Sequence, residues 1–274
     1  MSEPSMTVRN VRFAIGEDIP RHWHGGRRAV TAFFDNLSVF FPAGERFFVA
    51  SVRAHERFVK DEALLRDVRA FCGQEGIHGR EHVRYNEMLH AQGYPVRAME
   101  ERVVRLLRAV RRVTPPRQRL AATCALEHFT ALMAQLLLAD PRMLEGAHPV
   151  MAALWRWHAA EENEHRAVAF DVFRAAGGTY RERVAVMAAA TIIFWAKVLE
   201  QQVRMMRADG ILSSLGEWSA LVRFLFVDPG AMSRLVRPYL AYYRPGFHPS
   251  DLDCHELVER WVTSFEASPA YGAS

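Results

Sequence analysis

Apolar residues recur along the chain at the three- and four-residue spacing of amphipathic helices. A short helix is predicted over 30–40, and Pro42 suits the first position of a second helix over 43–59. Asp61 caps a helix over 62–91, which Gly93 ends. Further helices are predicted at 99–113, 117–139, 150–175, 181–208, 215–226, 231–243 and 253–265. The pattern predicts an all-α protein.

The chain contains no linker, low-complexity tract or internal repeat, so its 274 residues are expected to form one domain, 1–274. Within it we expect an N-terminal arm and short helix over 1–41, a four-helix core over 42–176 and a helical extension over 177–274. In the arm, His22 and His24 are expected at the surface, because they stand in an irregular segment before two glycines.

Composition narrows the class of protein. Half of the residues are hydrophobic and 24% are charged, as in soluble globular proteins. The net charge of +4 comes from scattered arginines that do not alternate with aromatic residues, so no nucleic-acid partner is expected. Three separate cysteines and a polar start at 1–10 favour a cytoplasmic location. The uncharged segment 184–196 is too short to span a bilayer and predicts a buried helix.

The most unusual stretch runs from Trp157 to His165. On a helix, His158, Glu162 and His165 fall within about 60° of one another and share a face with apolar residues. A buried carboxylate is costly unless it is paired or bound to a metal. The spacing therefore indicates a cation site.

Three other predicted helices carry acids in apolar surroundings. Glu45 lies among aromatic residues, although a first-turn Glu favoured by the helix dipole is an equal alternative. Glu75 and His78 interrupt the apolar face of 62–91 with a second Glu-x-x-His spacing. Glu127 is the single acid of a long apolar run. If 43–59 pairs with 62–91, and 117–139 with 150–175, all these side chains lie within one helical turn of the same height.

The order Glu, Glu-x-x-His, Glu, Glu-x-x-His resembles the di-iron members of the ferritin-like superfamily over 43–175. The resemblance implies a ferritin-like four-helix bundle with a long crossover over 93–116 and additional C-terminal helices. Four carboxylates balance two divalent ions, and this donor set suits iron, with a manganese–iron or manganese–manganese pair as an alternative. The expected metal ligands are Glu45, Glu75, His78, Glu127, His158, Glu162 and His165.

Two departures from that pattern refine the expected site. A third histidine at His158 resembles the site of di-iron arylamine N-oxygenases, which implies a seventh ligand; a hydrogen-bonded core histidine is the alternative. By resemblance to related oxygenases, Glu161 would orient His78, whereas its counterpart Gln74 is neutral. Helical geometry alone leaves Glu161 open as the ligand in place of Glu162. His82 is expected as a residue that supports a ligand, or else as an eighth ligand.

The chain also resembles a bacterial family catalogued as predicted metal-dependent hydrolases. The matching elements are Phe-Pro-x-Gly-Glu-x-x-Phe at 41–48, Gln-Glu-x-x-His at 74–78, Leu-Glu-His at 126–128 and Glu-Glu-x-Glu-His at 161–165. That name asserts hydrolysis, which two bridged metals can perform. A buried Glu and His cage in a bundle is more typical of oxygen activation.

We therefore expect an O₂-activating oxidase or oxygenase in which Glu45, Glu75, Glu127 and Glu162 form the catalytic carboxylate set. Its partners would be O₂, a small, mostly apolar substrate and an electron donor. A metal-dependent hydrolase and a non-catalytic iron-binding bundle are the alternatives, and a homodimer is compatible with the sequence.

Overall fold

The computed structural model describes residues 6–266, and no β-strand occurs within that range. Three short 3-10 helices, Glu56–Phe58, Pro141–Leu144 and Pro249–Asp251, lie between α-helices. The α-helices are α1 (Arg28–Arg53), α2 (Glu62–Ala91), α3 (Val96–Val113), α4 (Pro116–Ala139), α5 (Pro149–His165), α6 (Val168–Ala175), α7 (Tyr180–Ala208), α8 (Leu215–Phe226), α9 (Ala231–Ala241) and α10 (His255–Glu266).

Two helix pairs form the centre of the fold. α1 packs along α2, α4 packs along α5, and α1 also contacts α4. α3 connects the two pairs and lies against α1, while α7, α9 and α10 pack on the outside of α4. The arrangement confirms the all-α prediction and is consistent with a ferritin-like bundle that has a helical crossover and added C-terminal helices.

The prediction of two helices separated at Pro42 is wrong, because α1 continues through this proline. A proline inside a helix has no N–H to bond the carbonyl four residues earlier, which here belongs to Ser38. The Asn86 side chain donates to this carbonyl through Nδ2 at 3.4 Å. A neighbouring helix thus satisfies the acceptor that Pro42 leaves free.

The predicted single helix over 150–175 is divided into α5 and α6, with a turn at Arg166 and Ala167. No proline or glycine stands at the break, so the local sequence carries none of the usual signals. The short α6 buries Val168, Val172 and Phe173 in the apolar core. The helix break therefore follows His165 directly.

The apolar interior forms two clusters on either side of a polar layer. One contains the N-terminal half of α1 and most of α5, including Leu37 and Trp155. The other contains the end of α1, the first part of α2 and the apolar residues of α6, including Phe48, Phe71 and Phe173. Between them each of α1, α2, α4 and α5 contributes buried acids or histidines. The predicted ligands lie in this layer.

The N-terminal arm, described from Met6 onward, lies partly inside the protein. The surface position expected for His24 is wrong: its ring is fully buried and Nε2 lies 2.8 Å from the carbonyl of Met143. Trp23, next to it, donates to Asp35 at 2.9 Å. The two residues fix the arm against α1.

The prediction that 184–196 forms a buried helix is also wrong. By length and composition, α4 and α7 could each cross a membrane, yet their burial differs. The most apolar 18-residue segment of α4 is 72% buried, whereas that of α7 is 17% buried. The α4 segment is mostly buried in the core, and α7 presents apolar side chains such as Ile192 to the surface. The cytoplasmic location stays a prediction.

Candidate metal centre

The four central helices bring their acids and histidines together at one height, in two groups of ligand atoms. In each group, one nitrogen or oxygen of every member lies within 4.8 Å of the others. All members are buried. The first group contains Glu75, His78, Glu162 and His165, and the second contains Glu45, His82 and His158.

Glu127 adjoins the first group through His165. Its Oε2 lies 3.1 Å from His165 Nδ1, and the other ring nitrogen, Nε2, lies 3.6 Å from Glu75 Oε1. The structure therefore brings all seven expected ligands into one layer. It also places His82 among them as a member of the second group.

His158 joins the two groups. Its Nε2 lies 2.9 Å from Glu162 Oε1, and its Nδ1 lies 2.7 Å from His82 Nε2. His82 in turn shares a hydrogen bond with Ser38 Oγ at 2.9 Å, and the Ser38 hydroxyl donates to Asn86. This chain fixes the ring of His158 through the ring of His82. Both roles expected for His82, support and direct ligation, are compatible with that position.

Glu161 and Gln74 occupy equivalent positions in sequence but not in space. Glu161 Oε2 lies 3.0 Å from His78 Nε2, the contact that the resemblance implies. The Gln74 amide instead donates to Glu164 at 2.7 Å and to the carbonyl of Thr7 at 3.0 Å. Gln74 thus orients no histidine, and the supporting contacts of the two motifs are unequal.

Sequence reasoning missed two residues that support the site. Arg9, from the N-terminal arm, forms two hydrogen bonds with the Glu164 carboxylate, at 2.8 and 2.6 Å, and a longer one with Glu161 at 3.3 Å. Nothing in the sequence around Arg9 indicates this contact. Ser38 had a detectable signal, since it lies two helical turns before Glu45 on the same face of α1.

Aromatic rings enclose the histidines. The Phe41 ring centroid lies 4.5 Å from that of His158 and 4.6 Å from that of His82. Trp157 contacts His78 edge-on at 4.8 Å, and Phe71 contacts His165 edge-on at 5.0 Å. These rings exclude water and restrict how far the imidazoles can turn.

Burial shifts the ionisation of the whole group. It raises the pKa of Glu45 and of Glu75 well above the usual range, and repulsion from neighbouring carboxylates adds to the effect. It lowers the pKa of His78 and of His82 well below the usual range. Burial acts in the same direction on His165, but the adjacent Glu127 raises the pKa of His165 to about 9. The carboxyl groups of the site therefore need a compensating positive charge before they can all be ionised.

The site also contains buried polar atoms that lack hydrogen-bond partners. Within residues 6–266, several buried ligand atoms have no hydrogen-bond partner: both oxygens of Glu45 and of Glu75, Oε1 of Glu127, Oε2 of Glu162, Nδ1 of His78 and Nε2 of His165. Buried polar atoms are normally paired. Carboxylate oxygens and neutral imidazole nitrogens that converge without partners fit divalent cations of the iron and manganese type.

Three cavities reach this layer from different sides. The largest apolar one, about 540 Å³, lies between α1, α3, α4 and α7 and touches Glu45. A small one of about 60 Å³ touches His158 and Glu162. A third, about 790 Å³ between α1 and α2, reaches Glu45 and Glu75 past Gly76 and Gly79 and is lined with arginines. A side-chain carbon at Gly79 would come within 3.1 Å of Glu45 Oε2, so this glycine leaves room for the carboxylate.

Comparison with known proteins gives a single finding. No curated protein and no solved structure matches the chain. The family described as predicted metal-dependent hydrolase matches residues 7–253, which include every helix of the metal centre. With most of its length matched, the chain belongs to the family of predicted metal-dependent hydrolases.

Proposed function

We propose that the protein is an O₂-dependent di-iron oxidase or oxygenase that acts on a small, mostly apolar substrate. The observation that carries the proposal is the contact between a buried carboxylate and imidazole cage and an almost entirely apolar cavity, which meet at Glu45. A cavity of this volume lies within the range of about 300–1,000 Å³ found for small-molecule sites. Its apolar lining suits a substrate that consists mainly of C–H groups.

The residues of the chain have separable tasks. Glu45, Glu75, Glu127 and Glu162, with His78, His158 and His165, would hold two iron ions, and manganese would suit the same donors. When bound and reduced, the iron pair supplies electrons to O₂. Glu161 keeps His78 in position, and His82 does the same for His158. Phe41 lines both the large and the small apolar cavity and helps to keep water from the layer.

The proposal implies partners outside the chain: O₂, the substrate and an electron donor. We expect no nucleic-acid partner, no membrane-spanning segment and a cytoplasmic location. A homodimer is compatible with the proposal.

The proposal is tested by loading purified, metal-free protein anaerobically with two equivalents of Fe(II) and then admitting O₂. We expect a new absorbance band and O₂ consumption faster than that of Fe(II) in buffer. Glu162→Ala, treated in the same way, is the matched control and should show neither effect. Wild-type protein that shows no new absorbance and no faster O₂ consumption would rule the proposal out.

Hydrolysis at the same dinuclear site is the second candidate, favoured by the description of the family. Two ions held by these carboxylates could lower the pKa of a bound water and stabilise an oxyanion. The reaction would then need no O₂ and would tolerate redox-inert Zn(II) or Mg(II). Metal-dependent cleavage of an ester or amide under anaerobic conditions would favour this candidate over the oxygenase.

A further inference from the structure

The large apolar cavity is long. Its walls follow α4 from Arg117 to Met133 and α7 from Thr179 to Lys197. Sixteen residues of α4 correspond to about 24 Å at 1.5 Å per residue. We call this cavity the α7 groove.

The directions of the helices support that shape. Arg117 pairs with Glu182 at 2.8 Å, and the rings of Phe129 and Phe194 stack at 6.0 Å, so α4 and α7 run parallel along the groove. α3 closes one side and is tied to α7 by the pair Arg102–Glu200 at 3.1 Å. The walls are therefore continuous helices, and the groove runs along them.

Between its polar ends, α7 lines the groove with apolar side chains: Ala185, Val186, Ala189, Ala190, Ile193 and Phe194. Ala185 and Ala189 are exposed, so the groove opens to the surface along this edge. A flexible, unbranched alkyl chain can contact such walls along the whole length of the groove, at carbon–carbon distances of about 3.5–4.0 Å. A compact ring system with the same number of carbon atoms would contact only part of that length.

Glu45 lies near the middle of the groove. The Phe40 and Phe194 rings are 5.7 Å apart, and Asn36 donates to the carbonyl of Val198 at 2.8 Å. These two contacts show that α1 and α7 run in opposite directions, which places Glu45 near the level of Ala189. The groove extends over about ten residues of α7 on one side of that level and about eight on the other, or roughly 12–15 Å each way.

The two ends differ in polarity. Thr114, Arg117, Gln118, Thr179 and Glu182 line one end. At the other end Lys197 is the single charged side chain, and it stands among Leu37, Phe40 and Ile193. Arg117 is paired with Glu182 at the first end, where Thr114, Gln118 and Thr179 add uncharged polar groups. An amphiphilic molecule would place its polar head at this more polar end and extend its tail past Glu45.

We propose that the α7 groove binds an unbranched acyl chain, with its carboxyl head at the Arg117 end and an interior carbon beside Glu45. The inference rests on the proposed function only in treating this chain as the substrate of the metal centre. The binding itself depends on the walls of the groove, so it can be measured on metal-free protein.

The test is displacement of a fluorescent fatty acid from the full-length, metal-free protein by straight-chain carboxylates from octanoate to palmitate. Affinity is expected to rise roughly two- to fourfold for each added methylene, as burial of apolar surface requires. Undecanoate should bind more tightly than adamantane-1-carboxylate, which has the same number of carbon atoms in a compact cage.

Two adjacent exposed alanines of α7 provide matched variants. Ala189→Trp places an indole in the groove, and Ala188→Trp places the same group on α7 outside it. We expect Ala189→Trp to weaken palmitate binding about tenfold or more, because several methylenes can no longer be buried. Ala188→Trp should bind like the parent protein. Both substitutions are at the surface, and a thermal melt checks that both variants are folded.

The outcomes separate this inference from the proposed function. Affinity that does not depend on chain length, or equal binding by the two tryptophan variants, would overturn the acyl-chain assignment and leave the O₂ reaction untouched. Tight, length-dependent binding by protein that fails the Fe(II) and O₂ experiment would uphold the assignment and overturn the oxygenase.

Discussion

His78 on α2 and His165 on α5 hold the same place in two Glu-x-x-His motifs, yet they face the centre through different nitrogens. His78 is held at Nε2 by Glu161 and leaves Nδ1 without a partner, 3.9 Å from Glu162. His165 is held at Nδ1 by Glu127 and leaves Nε2 without a partner, 3.6 Å from Glu75. Each histidine therefore reaches towards the glutamate of the other motif.

The comparison shows that identical Glu-x-x-His spacing does not determine the whole site. Spacing places Glu and His on one face of each helix, but the residue that orients each histidine comes from elsewhere. For His78 it is an acid on α5, itself paired with Arg9 of the arm. For His165 it is Glu127 on α4, one of the expected ligands. The two half-sites are thus supported unequally, and the following experiments test that inequality.

The largest expected effect comes from removing Glu162. It belongs to the first ligand group and contacts His158 of the second, so Glu162→Ala should lose about half or more of the bound metal, measured by metal analysis. Glu127→Ala should lose a similar share. Glu164→Ala is the control on the same helix and should keep its metal. Two ions per chain in both ligand variants would refute the assignment.

The next largest effect is expected at Glu161, and Gln74 provides the comparison. Glu161→Gln replaces the carboxyl group that contacts His78 with an amide, and loss of such a support typically weakens metal affinity about 10–100-fold. Gln74→Ala should change affinity by less than about threefold, because Gln74 contacts no histidine. Competition with a chelator measures both values. Equal losses would mean that the two motifs are supported symmetrically.

His82→Gln distinguishes support from ligation. If His82 only positions His158, affinity should fall about tenfold while two ions still bind at saturating metal. If His82 is itself a ligand, one of the two ions should be lost. The ratio of metal to protein at saturation decides between these roles.

The smallest effect is expected at the arm. Arg9 is largely buried and neutralises Glu161 and Glu164, so Arg9→Ala should lower the free energy of unfolding by about 1–2 kcal/mol. Metal content should be almost unchanged. Denaturant unfolding of the two proteins gives the comparison, and equal stability would show that the arm does not fasten this side of the centre.

Sequence reasoning succeeded where helical periodicity alone controls the outcome. The positions of Glu45, Glu75, Glu127 and Glu162 on four apolar faces follow from spacing, and their common height follows from the short turns at Asp61 and Pro149. The aligned layer in the structure results from both features. A residue offset by one position on any helix would have pointed away from the centre.

Sequence reasoning failed where a contact between residues far apart in the chain determines the local structure. Pro42 does not end α1, because Asn86 on α2 supplies the missing donor. The break after His165 has no local signal, and the contact from Arg9 crosses from the arm to α5. The exposure of α7 could not be predicted from the sequence either, because an apolar segment does not indicate which of its faces is covered by a neighbouring helix. The groove beside Glu45 exists because α7 is covered so little.

The most direct test of the dinuclear centre is crystallography of protein purified without chelator, with anomalous scattering recorded at the iron edge. We predict two peaks per chain, about 3.5–4 Å apart, as in other two-metal sites. One should lie among Glu75, His78, Glu162 and His165, and the other beside Glu45 and His158. A single peak, or peaks away from this layer in iron-loaded protein, would contradict the account.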